Sequence, residues 1–122
     1  MSSIINEFRL TGRMGGAVEV AVLPNSNRVG RVSLAVDASY RDRDSGELIV
    51  RTDWHDLTFF SQKQIERLER FAGRGHEIHV LGRIGKDVWD SKTRMQQDGV
   101  TPAKDSRVTL IVHSFRLGLP PS

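Results

Sequence analysis

The sequence predicts an all-β domain with one helix, folded as a small closed barrel. Three observations lead there. Apolar residues alternate with polar ones in several short runs, the period of half-buried strands. One stretch alone, residues 61–73, switches to helical spacing. Turn-forming clusters separate the runs, with no internal repeat or linker. A chain of 122 residues suits one domain with a real core. Residues 1–118 are expected to form it, leaving 119–122 as a short end.

The first strand is residues 8–14. Phe8, Leu10, Gly12 and Met14 fall on one side, and Arg9, Thr11 and Arg13 form a basic outer side. Gly15 and Gly16 interrupt it as a turn or bulge. A shorter strand is expected over residues 18–23, followed by the turn-forming run P-N-S-N. Val32, Leu34 and Val36 alternate with Arg31, Ser33, Ala35 and Asp37 in the next strand. Residues 40–47, Y-R-D-R-D-S-G-E, form a polar hairpin loop with an aromatic at its start. One long strand is expected from 48 to 60. Within it Trp54, Asp56, Thr58 and Phe60 share a face, and Asp53, His55, Leu57 and Phe59 share the other.

In the helix, Ile65, Leu68, Phe71 and Ala72 form the apolar stripe. Ser61 and Gln64 have the spacing of a reciprocal capping box, and Glu66 and Arg70 that of a favourable ion pair. Gly73 or Gly75 is available to end the helix in a left-handed conformation. A strand follows over residues 77–84. Residues 85–106 are polar and weakly patterned, expected as an extended hairpin turning at Asp98 and Gly99. Val108, Leu110 and Val112 mark the last strand. Phe115 and Leu117 are out of phase with them, which predicts a bulge or bend near Ser114. Three long strands, a helix and two strands are the order of an OB-fold, a five-stranded Greek-key barrel.

Composition excludes some chemistry. With no cysteine there are no disulfides or thiolate sites, which fits a reducing compartment. No run approaches the roughly 18 apolar residues of a membrane helix, and the first residues lack the pattern of a secretory signal. A cytoplasmic protein is expected. The net charge of +3, from 18 Lys+Arg against 15 Asp+Glu, allows a polyanionic partner without requiring one. His76 and His79 lie three apart, on opposite strand faces, so they make a poor metal pair, and His113 reads as a partly buried strand residue. Asp53 and Asp56 lie on opposite faces, wrong for a cooperating acid and base. The expectation is no enzyme, no metal and no cofactor.

A nucleic-acid binder is better supported. Proteins that hold single strands combine a cationic groove with rings on which bases stack. Tyr40, Trp54, Phe60 and Trp89 all sit in or beside polar, Arg- or Lys-bearing segments. Against this, a Trp on a strand commonly packs a sheet, and a Tyr at a hairpin commonly fixes its loop. Both readings stand on the residues alone.

The order of several motifs adds a resemblance. These are N-E-F-R-L-T-G-R-M-G at 6–15, V-S-L-A-V at 32–36, Y-R-D-R-D-S-G-E at 40–47, T-D-W-H at 52–55 with Phe60 beyond, and V-L-G-R-I at 80–84 ahead of Trp89. Over residues 6–117 the chain resembles the bacterial single-stranded DNA-binding protein family. The resemblance implies an OB-fold that assembles as a homotetramer and wraps single-stranded DNA without sequence preference. Tyr40, Trp54, Phe60 and Trp89 match its base-stacking positions, the first usually being Trp. His55 matches a subunit-interface position. By similarity or location, Arg13, Arg41, Arg43, Arg51, Arg83 and Lys86 become phosphate contacts. The implied roles are protection of single strands in replication, recombination, repair or mobile-element transfer, near the nucleoid.

Departures qualify this. Asp56 puts an acid on the ring face, and residues 90–106 are longer than the usual hairpin. The chain ends L-P-P-S, without the family's disordered tail and acidic tip, so recruitment of enzymes through a tip is not expected. The alternative is an accessory protein like primosomal replication protein N, sharing the fold and working through protein partners.

Overall fold

Alternation places the apolar side of each strand inward, and the barrel follows from which edges then pair. The computed structural model describes residues 4–97 and 99–121, Thr93 by its backbone alone. Its elements are β1 Phe8–Met14, β2 Glu19–Val22, β3 Arg28–Asp37, β4 Tyr40–Arg41, β5 Leu48–Ile49, β6 Thr52–Phe59, α1 Gln62–Phe71, β7 Glu77–Met95 and β8 Pro102–Leu117. The main sheet runs β1-β7-β8-β6-β3-β2, and β1 pairs with β3 as well. Following β1, β7, β8, β6 and β3 back to β1 closes a five-stranded ring, the expected OB-fold order.

Gly15 and Gly16 break the first strand path into β1 and β2, as the sequence predicts. Gly15 keeps contact across the break by donating its amide to Ser33 O at 2.8 Å. Every junction in the ring is antiparallel except one. Strands β6 and β8 run parallel and pair only through Leu57 with Leu110 and Thr58 with Ile111.

The core gathers Met14, Val32, Leu34, Leu57, Phe59, Ile65, Leu68, Ile78, Val80, Val112 and Phe115. Phe59 and Phe115 meet edge to face, centroids 5.7 Å apart, and Arg67 lies over the Phe115 ring at 4.7 Å. The helix plugs the barrel with Ile65 and Leu68, both fully buried. Ile65 sits against Gly30, where a Cβ would stand 3.1 Å from its Cγ1.

The predicted phase change near Ser114 is a bulge. Leu81 opposes Ser114 and Gly82 opposes Val112, so His113 is the extra residue. It moves Phe115 into the inward phase. The same bulge turns His113 outward, so it is exposed and not the partly buried residue expected.

Other expectations need correction. The strand foreseen over 48–60 is two elements: β5 pairs with β4 in a separate two-stranded sheet, and β6 joins the barrel from Thr52. The chain leaves the barrel after Asp37, makes its own hairpin, and is gathered back by Ala38 N donating to Arg51 O at 2.9 Å. Only half of the capping box forms. Ser61 Oγ accepts from Gln64 N at 3.4 Å, while the Gln64 side chain reaches across and donates to His113 O at 2.8 Å. The helix ends at Ala72 in an extended conformation; Gly75 takes its positive φ of 85° in the turn beyond. Arg70 lies over the Phe71 ring rather than pairing with Glu66.

The extended hairpin is present and more regular than the sequence predicts, because β7 and β8 continue through it. Side chains hold it where apolar burial does not. Asp90 pairs with Lys104, Arg94 with Asp105, and Asp87 with Arg107 at 3.9 Å. At its tip Gly99 has a φ of 72°; Asp98, the other half of the expected turn, lies outside the described residues.

Candidate nucleic-acid interface

Residues opposed across paired strands share a face. On the outer wall, Arg13 of β1 stands opposite Ala35 of β3, which stands opposite Trp54 of β6. The next rows are Ser33 with Asp56, and Glu19 with Arg31 and Thr58. The inner rows between them carry Met14, Leu34 and Leu57, all core. Trp54 is therefore held outward by the same alternation that buries Leu57. It is 60% exposed.

Small residues make room for its indole. Ala35 is its cross-strand neighbour, and a Cβ on Gly15 would stand 2.7 Å from Trp54 Cζ3. The sequence alone gives Gly15 only a turn or bulge.

Where β6 and β8 part, below their short parallel contact, a cleft of about 520 Å³ opens. Phe8, Leu10, Trp54, His55, Asp56, Thr58 and residues 107–110 line it, together with Arg31. A second hollow of about 350 Å³ lies on the glycine side. Arg31, Trp54 and Asp56 border both. Arg31 and Arg107 were not singled out from the sequence, although Arg31 has the outward parity of Ser33 and Ala35. His55 is half-buried in the inner row, opposite Leu34.

The other three rings stand away from this cleft lining, each on its own element. Tyr40, 54% exposed, begins β4 opposite Ile49. Phe60, 52% exposed, follows the end of β6, and its carbonyl accepts from Gln62 Nε2 at 3.1 Å. Trp89, 46% exposed, lies in the β7–β8 ribbon opposite Asp105. All four rings are thus surface groups and not core. Trp54 and Phe60 do not form one continuous strip, because Thr58 between them is buried.

The candidate cations divide into two groups. Arg13 donates to Gly75 O at 2.9 Å, Arg41 donates to Gly46 O at 3.0 Å, and Arg51 pairs with Asp53 at 3.1 Å. Among the described residues, the side chains of Arg43, Arg83 and Lys86 have no hydrogen bond or ion pair. The first group is committed to loops and neighbours, and the second is open to an anion. His79 Nδ1 hydrogen-bonds Thr11 Oγ1 at 2.8 Å, and His76 O accepts from Met14 N at 2.9 Å. No helix among the described residues is long and apolar enough to cross a membrane.

The model of the single-strand binding protein family matches residues 5–115. Among solved structures, the fold is similar to that of a Plasmodium falciparum SSB in complex with ssDNA, with TM-score 0.75 and 22% identity over 96% of each chain. It is similar to a deletion mutant of the single-stranded DNA binding protein from Thermus aquaticus, with TM-score 0.73 and 17% identity over 94% of this chain. This chain spans 51% of that protein's length. The mitochondrial single-stranded DNA binding protein Rim1 of S. cerevisiae gives TM-score 0.66 and 19% identity, over 98% of this chain and 100% of that one.

Proposed function

Because the chain belongs to the single-strand binding protein family, we propose that it binds single-stranded DNA through stacked bases and neutralised phosphates, without catalysing a reaction. The observation that carries this reading is the exposure of four rings, Tyr40, Trp54, Phe60 and Trp89, at 46–60% on the barrel wall and its hairpins. Exposed rings of this size contribute little to folding and suit stacking on any base, because every base offers a π face. Arg43, Arg83 and Lys86 supply phosphate contacts, with Arg13, Arg41 and Arg51 secondary because their guanidiniums already have partners.

The finer reading is protection of unpaired strands during replication, recombination, repair or mobile-element transfer, in the cytoplasm near the nucleoid. A homotetramer with His55 at a subunit interface presents several such surfaces to one strand. The single barrel of residues 1–118 is the binding unit. Titration of intrinsic Trp fluorescence with oligo-dT at two salt concentrations tests the binding. Quenching that weakens with salt supports it. Absence of quenching removes it in favour of an accessory protein acting through protein partners, for which a dimeric mass in solution is the companion result.

A further inference from the structure

Asp56 is the acid on Trp54's own strand and face, with Glu19 two strands away on the same wall, and the stacking mechanism leaves it without a role. It follows Trp54 by two strand positions, about 7 Å along the same face. It borders both the 520 Å³ cleft and the hollow above Gly15. Among the described residues, its carboxylate has no hydrogen bond or ion pair, and the same holds for Arg31 on the adjoining row. An acid on a phosphate-binding wall opposes the polyanion. A carboxylate is also an acceptor only, able to receive two donors on its paired oxygens.

We infer that Asp56 reads the edge of the base stacked on Trp54, favouring bases that present an exocyclic amine over thymine or uracil. This rests on the single-strand-binding reading and adds a base preference to it. The chemistry is in the edges. Cytosine and adenine each offer one amine to a carboxylate, and guanine offers an amine beside a ring N–H. Thymine and uracil offer one ring N–H between two carbonyl oxygens, which repel the carboxylate. Asp accepting from the cytosine amine is an established pairing in base recognition. The cleft supplies an apolar wall for such a base in Phe8, Leu10, Val108 and Leu110. Arg31 holds the opposite charge close by, leaving a donor for the base's carbonyl side.

The test compares oligo-dC with oligo-dU of equal length, which differ only at the hydrogen-bonding edge, on the full chain and on Asp56→Asn. Asn keeps an acceptor for cytosine and adds a donor for the uracil carbonyl. Because Asp56 is exposed, the variant should keep its fold, checked by circular dichroism and solution mass. The expected result is tighter binding of oligo-dC by the parent chain and a dC-to-dU affinity ratio that falls about fivefold in the variant, the scale of one base-edge hydrogen bond. An equal gain on both oligomers would show that the carboxylate acts only on phosphates and overturn the inference. Unchanged affinity for both would place Asp56 off the base path and overturn it equally. Failure of the parent chain to bind oligo-dT at all would remove the single-strand reading itself, and this inference with it.

Discussion

A methyl group on Gly15 would stand 2.7 Å from Cζ3 of Trp54, so the indole rests on bare backbone. The obstructed atom is the far end of a side chain, and Gly15 has no positive φ to lose. Gly15→Ala should therefore tilt the ring and leave the barrel standing. Affinity for oligo-dT should fall about fivefold, as part of a stacking contribution of roughly 1–3 kcal/mol is lost. Fluorescence titration reads the loss, and urea unfolding should change by less than about 1 kcal/mol.

Removing a ring altogether should cost more. Trp54→Ala and Trp89→Ala each remove a side chain about half exposed, and each should weaken oligo-dT binding by about 1–3 kcal/mol with circular dichroism unchanged. Full affinity in both variants would end the stacking mechanism. Phe60 lies across the buried Thr58 from Trp54, so Phe60→Ala combined with Trp54→Ala should be close to additive.

The cations should separate by their existing partners. Lys86→Ala or Arg83→Ala should lower the slope of log K against log salt by about one unit each, the signature of a lost phosphate contact. Arg51→Ala should lower it less, since its guanidinium already pairs with Asp53. Equal slopes for all three variants would contradict the division.

Gly82 should behave opposite to Gly15. A Cβ there would overlap the backbone oxygen of Ile111, beside the bulge that places Phe115 in the core. Backbone cannot swing aside as an indole can. Gly82→Ala should cost about 2–3 kcal/mol or more in urea unfolding, an overpacking effect.

These contrasts bear on what could be read in the sequence. Phe8–Met14 was legible because its apolar residues alternate onto the inner side, Met14 in the core and Phe8 and Leu10 partly buried against it. The bulge was legible because burial on both sides of His113 demands a change of phase. Residues 85–106 were poorly legible because ion pairs hold that ribbon, and ion pairs leave no apolar period. The break between Ile49 and Thr52 was hidden because Val50 continues the apolar tone although the chain passes there from one sheet to the other. At the site, the four rings and the unpaired cations were visible as residue types. The floor under Trp54, and the reach of Arg31 and Arg107 into the cleft, come from strand pairing between distant segments and leave no local pattern.

The parallel contact between β6 and β8 has a kinetic consequence. The other junctions of the ring are antiparallel, and although β1–β3 is also only two pairs long, it joins segments about twenty residues apart, while the β7–β8 ladder grows outward from its own turn. The β6–β8 seam has only Leu57–Thr58 against Leu110–Ile111, and it joins segments some fifty residues apart with the helix between them. Closing so long a loop for so few hydrogen bonds is slow and gains little until the core is in place. The seam should therefore zip late as the barrel forms and part early when it opens, and its amides should exchange with solvent before those of the β1–β7, β3–β6 and β7–β8 ladders.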